Sequence, residues 1–291
     1  MKRFLLPLFV CVLLSFHIAA EDAFLAGTVD GLYRINGKKT QLLWGQPDVR
    51  KILHDGNRWI ILTSSGLHMS TDLKIFTPLV NGLPVKVIKK PGNGTKEFIR
   101  EVQELKDIEI HPENGAVMVT ATKDAVYFTD DGGSSWKSLG RSARTSGIKA
   151  VCVLDLPDST GKIRRTVFMS HPIYGVSWKY ADTPNASWTD CNTGLYTVPT
   201  VRWPDEVADI VAVTRNGKAE LYASNTFKPN IYRLDWAEKK FVSVWKGNAP
   251  IDTIEALSAG KNSIIFSSPS RLCELPYQDK DNEPVPAEIE D

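Results

Sequence analysis

Short runs of apolar and β-branched residues, separated by turn-forming residues, recur along most of this chain and predict β-strands. Long helical periodicity is almost absent. The runs come in pairs, with only a few residues between the two members of each pair. Six first members lie at residues 24–28, 58–63, 116–122, 166–170, 219–224 and 263–268, and examples of their partners are residues 31–35 and 271–275.

One turn has a distinctive composition, Thr129-Asp130-Asp131-Gly132-Gly133-Ser134-Ser135-Trp136. It follows a short β-prone run, and its two glycines permit a positive φ angle. Asp131 can accept hydrogen bonds from N–H groups of the turn itself. Trp136 then returns a large apolar ring to a core, so the octapeptide predicts a tight connection between two strands.

Degenerate versions of this turn recur, with Asp72 before Phe76, Asp182 before Trp188 and Asp235 before Phe241. The pattern Ser/Thr-x-Asp-x-Gly-x-Ser/Thr-Trp resembles the Asp-box, or BNR repeat, which joins the third and fourth strands of a blade in sialidase-like and sortilin-like β-propellers. The repeat over residues 24–277 is similar to extracytoplasmic Asp-box propellers of the sortilin-type receptors and the photosystem II assembly factor family. The resemblance implies structural turn and space-filling roles for Asp72, Asp131, Gly133, Trp136, Asp182 and Trp188.

The other strands complete this repeat. Innermost first strands are predicted at residues 49–53, 106–111, 148–154, 208–213 and 252–257, and outer fourth strands start at residues 40, 76, 136, 188 and 241. Successive units lie roughly 40 to 60 residues apart, the range of four-stranded propeller blades. We therefore predict an all-β fold, a β-propeller of about six blades. The first blade lacks an inner strand and the last lacks an outer one; residues near Tyr277, a partner chain, or nothing at all could complete the ring.

The segments outside the repeat divide the chain into three parts. Lys2 and Arg3 followed by an apolar run to Ala20 predict a secretory signal peptide over residues 1–20. An uncleaved anchor is the alternative, disfavoured because the run is shorter than the roughly 20 residues that span a bilayer. The propeller follows over residues 21–277, and residues 278–291 are acidic, Pro-rich and predicted to be disordered.

Residues 84–105 form an insertion between the second and third blades. One interpretation is a hairpin around Pro91-Gly92-Asn93-Gly94. The other is a hairpin arm followed by a short helix that places Phe98, Val102 and Leu105 on one face.

Charge and cysteine content restrict the function classes. The chain has 35 Lys plus Arg and 34 Asp plus Glu, and removal of the signal peptide takes two of the cations. A near-neutral surface argues against nucleic-acid binding.

Cys152, Cys191 and Cys273 show no metal-ligand spacing, so we expect neither a metal nor another cofactor. On the first and fourth strands of one blade, Cys152 and Cys191 would lie roughly 14 Å apart, whereas a disulfide needs about 7 Å. Three buried thiols are therefore expected.

In propellers, the loops between second and third strands and the links between blades lie opposite the Asp-box turns. Here these loops carry Asp30, Asp124, Asp205 and Glu206 together with many aromatic and cationic residues, and we expect them to be exposed. The candidate binding residues are Lys123, His171, Tyr174, Arg202, Trp203, Lys228 and Arg271. Such a set suits contact with a protein, a peptide or a glycan.

The function expected from this set is that of a secreted or periplasmic, non-enzymatic binding protein or assembly scaffold, without a membrane span after signal cleavage. A glycan-binding or sialidase-like glycoside hydrolase is the alternative. Tyr33-Arg34-Ile35-Asn36 faintly resembles a sialidase arginine motif, but Asn36 stands in place of the expected Pro. Hydrolysis also needs two carboxyl groups about 5 to 10 Å apart, for which Asp30 and Asp124 are the candidates. A third class is a structural subunit that completes another propeller through an unpaired blade edge.

Overall fold

The computed structural model describes residues 23–89, 98–141, 147–226, 228–248, 253–254, 256–260, 262–268, 271–277 and 287–288. These residues form 27 strands and no helix, and thus no helix that could cross a membrane. The sheets are those of a six-bladed β-propeller, which confirms the predicted fold class. The chain divides into two compact units, Met1–Pro78 and Leu79–Asp291. The predicted signal peptide lies outside the described residues and stays a prediction.

The first unit contains two antiparallel blades whose strands are paired in chain order. Blade 1 consists of β1 (Ala23–Thr28), β2 (Gly31–Asn36) and β3 (Lys39–Trp44). Blade 2 consists of β4 (Val49–His54), β5 (Trp59–Thr63), β6 (Gly66–Ser70) and β7 (Thr77–Pro78).

Equivalent hydrogen bonds in blades 1 and 2, each made by a threonine at the end of a strand, show which strand blade 1 lacks. Thr28 Oγ1, at the end of β1, donates to the Gly31 carbonyl at 3.1 Å, and Thr63 Oγ1, at the end of β5, donates to the Gly66 carbonyl at 3.2 Å. β1 therefore corresponds to the second strand of blade 2. Among the described residues blade 1 has no inner first strand, as predicted.

The second unit contains four blades and two short hairpins. The hairpin strands are β8 (Val85–Lys89) with β9 (Phe98–Val102), and β18 (Thr197–Val198) with β19 (Trp203–Pro204). Blade 3 is β10 (Leu105–His111), β11 (Asn114–Thr122), β12 (Ala125–Thr129) and β13 (Lys137–Arg141); blade 4 is β14 (Val151–Pro157), β15 (Ile163–His171), β16 (Gly175–Tyr180) and β17 (Thr189–Asp190). Blade 5 is β20 (Val207–Arg215), β21 (Lys218–Asn225), β22 (Asn230–Asp235) and β23 (Lys240–Lys246); blade 6 is β24 (Ala256–Ala259), β25 (Ser263–Ser268), β26 (Arg271–Pro276) and β27 (Ala287–Glu288).

These strands answer two questions that the sequence left open, the structure of the insertion and the outer strand of blade 6. The insertion is a hairpin, and the alternative with a helix is wrong because Phe98 and Val102 belong to β9. Its predicted turn at residues 91–94 lies outside the described residues. The outer position of blade 6, expected to be empty, is held by only two residues, which pair with Cys273 and Glu274. The rest of the predicted disordered tail lies outside the described residues.

The core of the second unit lies between successive blades. Both faces of an inner strand are covered, so β14 is buried nearly throughout. Val151 and Val153 pack toward blade 3, whereas Cys152 and Leu154 pack toward blade 5. Cys191 lies in the same core as Cys152, and Cys273 lies in the core between blades 5 and 6. All three cysteines are buried thiols, as expected.

Two aspartates connect inner strands of neighbouring blades. Asp107 follows a bulge in β10, and its Oδ2 accepts a hydrogen bond from the Val151 N–H at 2.8 Å. Asp209 follows the equivalent bulge in β20, and its Oδ2 accepts from the Leu257 N–H at 2.9 Å. Each carboxylate satisfies a backbone donor of the next blade, which fixes the spacing of the strands that carry the loops.

Candidate functional site

The Asp131 turn is closed by its own side chains. Thr129 Oγ1 donates to Asp131 Oδ1 at 2.7 Å, and the N–H and hydroxyl of Ser135 donate to the same carboxylate at 3.0 and 2.5 Å. Gly132 and Gly133 have φ angles of 76° and 88°, as the turn requires. The Ser135 hydroxyl, followed by Thr129, holds the pKa of Asp131 well below its usual range.

Trp136 joins this turn to a segment far away in the chain. The ring is only 4% exposed, and its Nε1 donates to the Leu79 carbonyl at 3.0 Å across a separation of 57 residues. The Trp136 N–H donates to the Asn81 carbonyl at 2.9 Å. Gly82 has a φ angle of 86°, and a Cβ there would lie 2.2 Å from the Trp136 carbonyl oxygen. These contacts hold the turn against the segment of residues 79–82.

The same contact recurs at blade 5. The Phe241 N–H donates to the Thr193 carbonyl at 2.7 Å, and a Cβ at Gly194 would lie 2.0 Å from the Phe241 carbonyl oxygen. Sequence reasoning missed this repeat. The sequence feature that could have revealed this repeat is the dipeptide Gly-Leu, which occurs at residues 82–83 and again at residues 194–195. Both leucines are buried.

The other predicted aspartates differ from one another. Asp72 Oδ1 accepts from the N–H groups of Lys74 and Ile75 at 2.8 and 3.0 Å, and these bonds lower the pKa of Asp72. The hydrogen bond of the Asp182 carboxylate comes instead from Arg164. Trp188 is half-buried, with Lys179 Nζ 5.1 Å from the centroid of its ring.

Three predicted binding residues are connected at the opposite end of blades 3 and 4. Lys123 is exposed, and its carbonyl accepts from the Gly147 N–H at 2.7 Å. Gly147 packs against His171, since a Cβ there would lie 2.9 Å from the ring Nε2. The His171 and Tyr174 ring centroids are 4.7 Å apart. His171 itself is buried.

The β18–β19 hairpin presents the predicted Trp203. The sequence favoured a loop at this position, but Trp203 pairs with Val198 in a short strand. Pro204 is tolerated because this strand is an edge, where a missing N–H costs nothing. Arg202, with a φ angle of 56°, closes the turn by donating its N–H to the Val198 carbonyl at 2.8 Å. The sequence also allowed the Trp203 ring to pack down over blade 5 as a lid, but Trp203 is 48% exposed.

The base of this hairpin is held by Asp205, which is only 1% exposed. Its N–H donates to the Tyr196 carbonyl at 2.9 Å, and its carbonyl accepts from Asn225 Nδ2 at 3.0 Å. Its carboxylate accepts from the N–H groups of Glu206 and Lys228, both at 2.8 Å. These bonds tie the hairpin to the β21–β22 loop. Sequence reasoning placed Asp205 among the exposed loop residues and missed this anchoring role.

Further contacts join the loops of blades 4 and 5 into one surface. Lys228 is exposed and places its Nζ 4.1 Å from the centroid of the Tyr196 ring. Asn192 Nδ2 donates to the Tyr174 carbonyl at 2.9 Å, and Lys149 Nζ lies 2.7 Å from Glu206 Oε1. We call this surface, made by Tyr174, Arg202, Trp203 and Lys228, the loop surface. Arg271 begins β26, and its side chain lies outside the described residues.

The described residues hold no group of three or more His, Cys, Asp or Glu side chains that could bind a metal ion. The side chains of the loop surface are aromatic and cationic.

Comparison with known proteins supports the fold. No family model and no curated protein matches the chain. Among solved structures, it is similar to the extracellular domain of BT4673 from B. thetaiotaomicron, with a TM-score of 0.59 and 10% identity over 99% of this chain and 34% of that one. It is similar to an ancestral GH74 enzyme, with a TM-score of 0.52 and 15% identity over 89% of this chain and 36% of that one. It is also similar to YCF48 bound to D1 peptide, with a TM-score of 0.50 and 14% identity over 91% and 77% of the two chains. The chain thus spans about a third of the BT4673 extracellular domain, and these likenesses show the propeller fold alone.

Proposed function

We propose that this chain is a secreted or periplasmic, non-enzymatic binding protein that contacts a protein or peptide partner through the loop surface. The observation that carries the proposal is the Trp203 hairpin, in which an exposed aromatic ring stands on a base held by a fully buried aspartate. Protein contacts concentrate their free energy in Trp, Tyr and Arg residues. A ring held in place before binding loses little conformational entropy when a partner arrives.

The neighbours of Trp203 suit such a contact. Val201 and Arg202 are exposed beside it at the tip of the hairpin. Lys228 and Tyr174 provide a polar and aromatic rim, and Lys123 continues it toward blade 3. We assign His171 a positioning role behind Tyr174. Arg271 completes the proposed set from blade 6.

Three observations support the cellular setting and the class of partner. The apolar run after Lys2 and Arg3 is typical of a secretory signal. The BT4673 domain is extracellular, and the YCF48 structure contains a bound peptide. The side-chain bonds of the Asp131 turn agree with an Asp-box, and we propose that this chain belongs with those propellers.

The test begins with the mature protein, residues 21–291, immobilised and exposed to an envelope extract from its own organism. Captured proteins are identified by mass spectrometry, purified, and titrated calorimetrically against the mature protein. Trp203→Ala is expected to weaken binding about 30-fold, which corresponds to roughly 2 kcal/mol for a hot-spot residue. Ile163→Ala is the control, because Ile163 is also an exposed apolar residue, 59% against 48% for Trp203, but lies at the other end of blade 4.

Two results would contradict the proposal. Unchanged affinity in Trp203→Ala, with the fold intact, would remove the hairpin from the contact. Release of reducing sugar from a glycan library by the parent protein would favour the hydrolase class instead.

A further inference from the structure

The β8–β9 hairpin occupies the same place before blade 3 that the Trp203 hairpin occupies before blade 5. Each hairpin follows one of the Gly-Leu pairs described above. Each base is closed by a backbone bond, from Gln103 N–H to the Pro84 carbonyl at 2.8 Å and from Asp205 N–H to the Tyr196 carbonyl at 2.9 Å. The β8–β9 hairpin, which is the longer of the two, thus stands at the position before its blade that is equivalent to that of the Trp203 hairpin.

This hairpin presents unusual apolar surface. Val85 and Val87 point to the same side of β8 and are 49% and 60% exposed. Within the described part of the chain, its sheet contains only β8 and β9. A two-stranded sheet leaves backbone donors and acceptors unpaired along both of its edges. Such an edge can accept a further strand through main-chain hydrogen bonds.

We propose that the free edge of β8 accepts an extended, acidic segment of a partner protein as a third strand. The charge on the two strands selects this edge and this class of occupant. β8, Val-Lys-Val-Ile-Lys, carries Lys86 and Lys89 and no carboxylate, whereas Arg100 of β9 is followed by Glu101. A carboxylate beside Lys86 on an added strand would form an oppositely charged cross-strand pair, which is stabilising.

The same charges disfavour a second copy of this chain. Two β8 edges brought together would join two strands that both carry lysines and no carboxylate, and edge lysines are a common protection against such pairing. Lys86 is available to a partner because its present ion pair is weak. Its Nζ lies 3.5 Å from Glu101 Oε2, and both side chains are about half exposed. Exposed pairs of this kind contribute little to stability.

Alternation along the added strand gives the expected sequence of the occupant. Residues that lie beside Val85 and Val87 on their face of the sheet should be apolar, and the residue beside Lys86 on the other face should be acidic. The expected occupant is therefore an extended peptide that places an acidic residue beside Lys86 and an apolar residue on either side of it. The main-chain bonds provide affinity and the alternating side chains provide selectivity.

The experiment uses the mature full chain and fluorescein-labelled peptides of about ten residues, long enough to cover one strand. The first probe alternates Glu and Val, the second alternates Lys and Val, and the third is the Glu-Val peptide with every second amide N-methylated. Fluorescence anisotropy measures binding. We expect the first probe to bind at least about tenfold more tightly than the other two, because only it combines negative charge with a complete set of backbone donors.

Variants locate the site. Lys86→Glu and Val87→Glu are each expected to weaken binding of the Glu-Val probe by about tenfold or more, since both place negative charge beside it. Lys218→Glu is the matched control, at an exposed lysine on β21 far from the hairpin in the chain. Circular dichroism melts show whether each variant is folded.

Several outcomes would overturn the proposal. These are absence of binding, equal binding of the N-methylated probe, and equal loss in Lys218→Glu. A dimer in solution that Val87→Glu dissociates would show that a second copy occupies the edge. Trp203→Ala should leave the probe affinity unchanged, so failure of this proposal and failure of the loop-surface proposal are distinguishable.

Discussion

Replacement of Trp136 by Ala tests whether one aromatic residue fixes the outer part of blade 3. The substitution removes a ring that is 4% exposed and also removes the indole donor of the Leu79 carbonyl. Truncation of a buried Trp typically costs about 3 to 5 kcal/mol. For a domain of this size, 1 kcal/mol lowers the melting temperature by about 2 to 4 °C. Trp136→Ala should therefore melt about 6 to 20 °C below the parent protein.

A second substitution separates packing from hydrogen bonding. Trp136→Phe keeps an aromatic ring but leaves the Leu79 carbonyl without its donor, which costs about 1 to 3 kcal/mol. We expect its melting temperature to lie between those of the parent and of Trp136→Ala. Trp203→Ala is the control, because surface substitutions change stability by only about 0.5 kcal/mol.

The assay is thermal unfolding at one scan rate, followed by far-ultraviolet circular dichroism, so that the loss of a tryptophan does not alter the signal. A melting temperature of Trp136→Ala equal to that of Trp203→Ala would refute the anchoring role. A Phe variant as unstable as the Ala variant would show that the hydrogen bond to Leu79 dominates over ring packing.

Three further predictions concern stability and redox state. Gly82→Ala should lower the midpoint of urea unfolding much more than Gly217→Ala. Both glycines have positive φ angles, but only a Cβ at Gly82 would clash with backbone, at the carbonyl oxygen of Trp136. Equal losses of stability in the two variants would contradict this. Burial lowers the pKa of His68, so the stability it provides is present above about pH 6.5 and lost as the pH falls through its folded value. His68→Phe should lose less stability than the parent between about pH 7 and pH 5 in urea titrations, and equal losses would exclude His68 as the cause. Alkylation of the denatured, unreduced mature protein should modify all three cysteines in mass spectrometry, whereas a linked peptide would contradict the buried-thiol assignment.

Much of the local structure follows from local sequence. The Asp131 turn was predictable because its glycines, aspartate and hydroxyl residues satisfy one another within eight consecutive positions. In the degenerate copy at Asp72, the carboxylate still accepts a hydrogen bond from an N–H group of its own turn. The Asp182 carboxylate instead accepts its hydrogen bond from Arg164 on the neighbouring strand. Similar spacing therefore did not ensure a similar hydrogen-bond network.

The candidate site was only partly accessible to sequence reasoning. Trp203, Arg202 and Lys228 were predicted from residue type and from their position in loops, and the structure places all three at exposed positions. The buried state of His171 and Asp205 was missed, because their partners come from other loops, such as Gly147 for His171 and the Lys228 N–H for Asp205. A polar residue can be judged exposed or buried only when those partners are known.

By itself, the sequence determined the all-β class, the strand pairs and the number of blades, because alternating burial and turn chemistry act over a few residues. The tertiary structure decided which segments meet across long separations in the chain. Trp136 with Leu79, Asp107 with Val151 and Asp205 with Lys228 are such pairs. Their contacts depend on how the blades and the segments that connect them pack together, and no local pattern encodes that packing.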